Sequence, residues 1–221
     1  ALSSRYALPQ PRYFANSVKG EPQRWGPSTN CKAAAKRPVK PCKSQKQRPD
    51  IPMIKRQHQK GDAFSQAIYS PCERYRYSLT RTWQDSAPKV NFIMLNPSTA
   101  TELQNDPTVE RCEQRARALG FGGFCVTNIF AWRDTDPKKM RAAANPVGPE
   151  NDGAILQGCA WADHIIAAWG THGAHLQRGP AVKTLLWTLK MPIYHLGLTK
   201  AGHPKHPLYL SYAQQPELWI T

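Results

Sequence analysis

The sequence lacks the features that define several large classes of protein. No apolar run approaches the roughly 20 residues that a membrane-spanning helix needs. The first residues do not combine a charged head, an apolar middle and a small-residue cleavage site, so no secretory signal is predicted. The phosphate-binding patterns GxxxxGKS/T and GxGxxG are missing, as is the GxSxG pattern of serine hydrolases. The sequence therefore gives no motif support for a membrane protein, a nucleoside triphosphatase, a dinucleotide enzyme or a serine hydrolase.

Acidic residues are scarce, and the resulting positive charge is unevenly distributed. The chain has 15 Asp and Glu against 30 Lys and Arg, which gives a net charge of +15. Residues 1–52 hold eleven Lys or Arg against Glu21 and Asp50, together with eight of the 20 prolines. Such a segment buries too little apolar surface to offset the entropy lost on ordering its backbone. The sequence predicts a disordered or extended basic tail over 1–52 and a single α/β domain over 53–221.

Two interpretations of this tail remain open. The composition becomes typical of a globular protein at Met53, so this methionine is a candidate natural start and residues 1–52 are then upstream sequence or a processed leader. Alternatively, the tail is a basic arm that binds nucleic acid. A chain that begins at Met53 separates the two, because only the second interpretation predicts a loss of nucleic-acid affinity.

The six cysteines form no CxxC pair, which is the spacing most typical of zinc and redox sites. Two of them lie in the tail, and the other four occur singly: Cys31 and Cys42, then Cys72, Cys112, Cys125 and Cys159. We expect buried, free thiols in a reducing cytoplasm rather than disulfides. Neither a metal nor a cofactor is predicted.

Apolar runs and helical patterns alternate along the domain. The segments VNFIML, GFCVTNIFAW, HIIAAWG and PIYHLGL are typical of strands that are covered on both faces. Helices are predicted to begin near Asp106-Pro107 and Asp136-Pro137, over 151–162 and from Pro180, with Asp106 and Asp152 as helix caps. This order predicts a three-layer α/β/α sandwich with a four-stranded, mostly parallel sheet, together with an N-terminal hairpin or extra strand.

Polar and aromatic side chains follow each of the four predicted strands. Because the carboxyl ends of parallel strands meet at one edge of a sheet, we expect these side chains to gather where α/β folds bind their ligands. The residues are Asn96, Ser98 and Thr99; Asn128, Trp132 and Arg133; Trp169, Thr171 and His172; and Thr199, Lys200, His203 and His206.

The two asparagines each have a structural alternative. Asn96 either contacts a ligand or closes the strand with a side-chain turn. Asn128 interrupts the apolar run VTNIF, where an unpaired amide costs about 1–3 kcal/mol. It is therefore either bonded to a neighbouring loop or available to a ligand, and an amide that donates and accepts together suits the edge of a base.

The histidine spacing gives little support for a metal site. His172 and His175 have the spacing of one helical face, but no third ligand follows at a metal-site spacing. Hydrogen bonding to an oxyanion is the better interpretation for His203 or His206. The structural alternative is loop histidines held by proline-rich turns.

Several segments in a fixed order resemble one family. MLNPSTATELQNDPTVERC, GFGGFCVTNIFAWRDTDPKKM, NPVGPEND, AAWGTHG and GLTKAGHPKHPLYL are similar to the bacterial and phage family known as domain of unknown function 1643. The resemblance runs from about Met53 to Trp219 and supports Met53 as the natural start. It implies no established activity.

A second resemblance, in layout, is to the uracil-DNA glycosylase superfamily. Asn96-Pro97 resembles the Asn-Pro centre of the motif Gly-Ile-Asn-Pro-Gly, although Leu95 stands where that motif has glycine. Asn128 occupies the place of a base-reading asparagine, and His203-Pro204 and His206-Pro207 both resemble a late His-Pro motif. The resemblance implies a uracil-DNA-glycosylase-like fold with a pocket for a flipped nucleobase.

The residue roles that this resemblance implies define the first functional hypothesis. Asn96 would orient water, and His206 or His203 would stabilise the leaving base, in the hydrolysis of an N-glycosidic bond in DNA or a nucleotide. Substrate contacts would come from Ser98, Thr99, Asn128, Trp132, Arg133 and His172. The second hypothesis is a non-catalytic nucleic-acid or nucleotide binding module, and the third is another small-molecule enzyme on the same scaffold. No membrane partner is predicted, and no protein partner can be inferred.

Overall fold

A computed structural model of the chain describes residues 52–220, with the side chain of residue 60 left aside. The chain divides into two units, Ala1–Gln47 and Arg48–Thr221, and every described residue belongs to the second. The predicted basic tail, with Cys31 and Cys42, lies outside the described residues except for Pro52. No helix among residues 52–220 is long and apolar enough to cross a membrane.

Strands and helices follow one another along the described part of the chain. The strands are β1 (Ile54–Lys60), β2 (Ala63–Tyr69), β3 (Arg76–Thr82), β4 (Lys89–Met94), β5 (Gly123–Asn128), β6 (His164–Ala167), β7 (Ile193–His195) and β8 (Glu217–Ile220). The helices are α1 (Pro107–Ala118), α2 (Pro137–Ala142), α3 (Asn151–Trp161) and α4 (Arg178–Trp187), and 3₁₀ turns cover Thr171–Gln177 and Pro207–Tyr209.

All eight strands form one sheet with the order β1-β2-β3-β5-β4-β6-β7-β8. The four central strands β5, β4, β6 and β7 are parallel neighbours. The other four pairings, β1 with β2, β2 with β3, β3 with β5 and β7 with β8, are antiparallel. The α/β class is therefore confirmed. The prediction of a four-stranded, mostly parallel sheet is wrong, and the fold is not clearly the sandwich expected for a uracil-DNA-glycosylase-like protein.

The alternation of side chains along the central strands explains why both faces of the sheet carry helices. Phe92 of β4 belongs to a buried cluster with Val109 of α1. The next residue, Ile93, belongs to a second buried cluster with Ile155 of α3 and Val182 of α4. Because successive side chains of a strand point to opposite faces, α1 covers one face, and α3 and α4 cover the other.

Of the two predicted helix caps, Asp106 is confirmed and Asp152 is not. Asp106 caps α1 as predicted, since its Oδ1 accepts hydrogen bonds from the backbone N–H groups of Thr108 (3.0 Å) and Val109 (2.8 Å). The predicted cap Asp152 is wrong, because α3 already begins at Asn151. Asp152 instead forms an ion pair with Arg178 of α4.

The four described cysteines are free, as expected. Cys112, Cys125 and Cys159 are buried, whereas Cys72 is exposed and corrects the expectation of burial at that position. Burial raises the pKa of the Cys159 thiol to about 11 and that of the Cys125 thiol to about 12. These two thiols therefore stay protonated and behave as small apolar side chains.

Candidate ligand site at the carboxyl edge of the sheet

A cavity of about 780 Å³ lies at the carboxyl ends of the four parallel strands. Each of these strands contributes a wall through the loop that follows it, and the first turn of α1 adds Pro107 and Thr108. A volume in this range suits a small organic ligand. The predicted edge residues that line it are Asn96, Ser98, Thr99, Trp169, Thr171, His172, Thr199 and His206.

Asn96 follows β4 directly, and its amide is partly committed to the protein. Its Nδ2 donates to the carbonyl oxygens of Pro97 (3.1 Å) and Asp134 (2.7 Å). Because both partners are acceptors, this network fixes which end of the amide is the nitrogen. Asn96 thus ties the β4 loop to the β5 loop, and its Oδ1 is left to accept a hydrogen bond from a ligand or water.

His206 lines the cavity from the loop after β7. Burial lowers the pKa of His206 to about 4, although the Asp106 carboxylate opposes part of the decrease. The Nδ1 atom of His206 accepts a hydrogen bond from the backbone N–H of Leu208 (3.3 Å). A neutral ring with Nδ1 as acceptor carries its proton on Nε2. His206 is therefore a neutral hydrogen-bond donor at physiological pH.

Two carboxylates line the same cavity, and the sequence interpretation assigned neither of them to the site. Asp106 is engaged by the protein, because its Oδ2 accepts from the backbone N–H of Ala100 (3.3 Å) in addition to the capping bonds. Asp134 accepts from the backbone N–H of Asp136 through Oδ1 (2.9 Å). The position of Asp134, immediately after Arg133 in the β5 loop, was the only sequence signal that could have identified it.

Two aromatic side chains contribute to the apolar part of the wall. Trp169 is buried, and its Nε1 has no hydrogen-bond partner among the described residues. Tyr209 lines the cavity with 84% of its surface exposed, and its ring lies 6.1 Å from that of His206. An exposed ring beside a neutral donor can stack on a planar ligand while the donor bonds its edge. The sequence interpretation did not assign Tyr209 to the site, although it directly follows His206-Pro207-Leu208.

Two arginines of α1 hold the chain segment that follows His206. Arg115 is buried and donates to the carbonyl oxygens of Ser211 (2.8 Å), Tyr212 (3.4 Å) and Gln214 (2.5 Å). Arg111 donates to the carbonyl oxygen of Leu210 (3.1 Å). These bonds fix one wall of the cavity against α1.

The remaining predicted residues lie outside this cavity. Asn128 is buried, and its Oδ1 has no hydrogen-bond partner among the described residues. Lys200 and His203 belong to the loop after β7 without lining the cavity. His203 pairs with Thr199 through its backbone. Trp132 and Arg133 line a separate groove on the other side of Ser98 and Thr99.

The two histidines with helical spacing do not share a site. His172 lines the cavity, and its Nδ1 lies 3.4 Å from the guanidinium of Arg141. His175 packs its ring at 5.7 Å from that of Phe130 instead. Within residues 52–220, no cluster of three or more His, Cys, Asp or Glu side chains could hold a metal ion.

The fold and the cavity together define a mixed α/β protein with a ligand-sized recess at the carboxyl edge of its parallel strands. The family model described as protein of unknown function (DUF1643) matches residues 76–208. The chain belongs to this family, which confirms the first of the two resemblances. The match begins with β3 and includes every cavity-lining residue except Tyr209 and Leu210. No curated protein and no solved structure shows a significant match to the chain, so the resemblance to uracil-DNA glycosylases is not confirmed.

Proposed function

We propose that the cavity binds a nucleobase and that the protein hydrolyses the N-glycosidic bond of that base in DNA or a nucleotide. One observation carries the proposal: the neutral donor His206, the amide oxygen of Asn96 and the carboxylate of Asp134 line one recess. The resemblance of the Asn-Pro and His-Pro steps to the uracil-DNA glycosylase motifs is a second support. The four free cysteines favour a reducing compartment such as the cytoplasm as its location.

The proposed reaction assigns a role to each group. Water forms a new bond to the sugar carbon C1′ as the bond from C1′ to the base nitrogen breaks. Asn96 Oδ1 orients this water, and Asp134 accepts its proton. The electron pair of the broken bond leaves with the base, and His206 stabilises the resulting negative charge by donating through Nε2. The base is protonated afterwards by solvent.

A non-catalytic binding module is the second candidate, and one observation favours it. The amide nitrogen of Asn96 donates both of its hydrogens to the carbonyl oxygens of Pro97 and Asp134. That arrangement stabilises the loop and leaves a single acceptor to position water. A pocket built this way can recognise a base without cleaving it.

The experiment is an assay of base release from oligonucleotides that contain uracil, hypoxanthine, mismatched or modified bases. We expect release of at least one base, and we expect His206→Gln to lower the rate by roughly 10²-fold or more. His203→Gln is the matched control, because it changes the other His-Pro step and lies outside the cavity. No release from any substrate by folded protein would exclude the DNA-repair form of the proposal. Equal rates in the two variants would remove His206 from the reaction.

A further inference from the structure

A groove of about 490 Å³ adjoins the cavity. The two share Ser98, Thr99, Asp134 and Thr135, which therefore form a ridge with a recess on each side. The far wall of the groove is formed by Glu73 and Arg74 in the loop before β3. A ligand that is long enough can therefore occupy the cavity and extend over this ridge into the groove.

Two arginines and one carboxylate line the far wall of the groove. Arg74 is exposed and lines the groove together with Arg133. Arg133 donates from Nη1 to the backbone oxygen of Glu73 (3.1 Å), and Arg56 forms an ion pair with the Glu73 carboxylate (2.8 Å). The charge of Glu73 is therefore met by Arg56, which leaves Arg74 and Arg133 facing the groove.

Arg133 is also held in place by its surroundings. Its guanidinium lies 5.0 Å from the centre of the Tyr69 ring, and the Arg56 guanidinium lies 5.2 Å from the same ring. The Tyr69 hydroxyl is fixed in turn by a hydrogen bond to Glu102 (2.9 Å). The Nε atom of Arg133 is buried and has no partner among the described residues. A guanidinium fixed this way loses little side-chain entropy when it binds a phosphate.

The ridge and the groove offer further groups that suit a nucleic-acid backbone. Ser98 and Thr99 present hydroxyls between the two recesses, and Trp132 presents a half-buried ring on the groove side. Its ring is oriented by an edge contact of 5.6 Å with Tyr75. Hydroxyls, arginines and an aromatic ring together are the groups that track a single strand. The Asp134 carboxylate on the ridge would repel phosphates and so keep the backbone on the side of Arg74 and Arg133.

We infer that this groove, defined by Arg74, Ser98, Thr99, Trp132 and Arg133, binds the phosphodiester backbone of a single-stranded nucleic acid whose base occupies the cavity. The inference rests on the proposed function and narrows it, because it makes a polynucleotide rather than a free nucleotide the substrate. Arg74 and Arg133 contact the phosphates, and Trp132 stacks on a neighbouring base.

The test compares two probes: a short, fluorescein-labelled single-stranded DNA, followed by fluorescence anisotropy, and free nucleosides, followed by calorimetry. We expect Arg74→Gln and Arg133→Gln each to weaken DNA binding by roughly 3- to 10-fold. Each substitution should also reduce the slope of log affinity against log salt concentration by about one, the change expected for one lost phosphate contact. Nucleoside affinity should stay unchanged, because neither arginine lines the cavity. Lys183→Gln is the charge-matched control, since Lys183 is exposed on α4 and lies over the Trp219 ring.

The outcomes separate the groove from the cavity. The Arg74 side chain is exposed and forms no hydrogen bond or ion pair within residues 52–220, so its variant should fold even if Arg133→Gln is destabilised. DNA affinity that falls no further in Arg74→Gln than in Lys183→Gln overturns the groove assignment, while intact nucleoside binding leaves the cavity proposal standing. If the protein without substitutions binds no nucleoside, the proposed function is wrong, and the groove inference is wrong with it.

Discussion

At the residue scale, the state of His206 follows from where the chain places it. The ring lines the cavity and is partly buried, and its Nδ1 accepts a hydrogen bond from the backbone N–H of Leu208. Burial disfavours the imidazolium, so the pKa of His206 falls to about 4 although a carboxylate lies nearby. A histidine that is neutral across physiological pH can donate one hydrogen bond but cannot act as a cation.

This state of His206 predicts a pH dependence of stability. Between pH 4 and pH 6.5 the unfolded chain binds the proton more readily than the folded one, so the free energy of unfolding falls as pH decreases through this window. His206 should contribute roughly 3 kcal/mol of this loss. Urea unfolding at a series of pH values is the measurement, with His206→Gln as the comparison.

His206→Gln should reduce the slope of the unfolding free energy against pH without abolishing it. Burial also lowers the pKa of His164 and His195, which keep their own contributions. A slope that is the same with and without His206 would show that its ring is solvated and ionises normally.

At the element scale, helix α3 packs unusually close to the sheet. A Cβ atom on Gly158 would lie 2.6 Å from Cγ2 of Thr127 and 3.0 Å from Nδ2 of Asn91. These two side chains are joined to each other by a hydrogen bond (3.2 Å) on the face that α3 covers. A glycine at position 158 is therefore required by the helix-to-sheet distance and not by the conformation of the helix.

The same helix provides a matched pair of substitutions. Gly158→Ala should destabilise the protein by about 1–3 kcal/mol, since either the helix or the Asn91–Thr127 pair must move. Gly153→Ala should stabilise it by up to about 1 kcal/mol, because its Cβ would meet nothing within 4 Å and alanine favours a helix. Thermal or urea unfolding of both variants checks the prediction. A destabilised Gly153→Ala, or a Gly158→Ala that is as stable as the original, would contradict the packing described here.

The elements that could be predicted from sequence are those whose pattern follows burial on both faces. The apolar runs around Phe92, Val126 and Ile166 predict central strands correctly. Alternate side chains of such a run pack against helices on opposite faces of the sheet, so most of them are apolar. The strand β1 reads IKRQHQK and lies at the edge of the sheet, where its side chains stay largely exposed. No apolar pattern marks such a strand, so the full sheet and its antiparallel pairings could not be derived.

At the scale of the whole molecule, the cavity depends on contacts between segments far apart in the chain. Asn96 of the β4 loop bonds to the β5 loop at Asp134, and Arg115 of α1 bonds to Ser211 and Gln214 after β7. Sequence reasoning placed Asn96, His172 and His206 at one edge because parallel strands must end there. It could not find Asp134 or Tyr209, since their positions depend on how two loops fold back over that edge.

Arg115 tests this long-range support. Arg115→Lys keeps the charge but cannot reach three carbonyl oxygens, so the segment 207–214 should lose its anchoring to α1. We expect the unfolding free energy to fall by about 1–3 kcal/mol and amide hydrogen exchange to rise in 207–214. Arg111→Lys is the comparison, with a smaller effect, because Arg111 donates to a single carbonyl oxygen of this segment, that of Leu210. Unchanged exchange in 207–214 would show that the segment is held by other contacts.

The central claim is that a nucleobase occupies the cavity, and chemical-shift mapping of the ¹⁵N-labelled protein tests it most directly. Uracil and hypoxanthine nucleosides would be titrated, with the sugar alone as the control ligand. The account predicts saturable shifts, from at least one nucleoside, in the amides of Asn96, Thr171, His172 and Tyr209, and none in the α4 amides near Lys183. Shifts that do not saturate, that appear equally with the sugar, or that fall outside the cavity would contradict it.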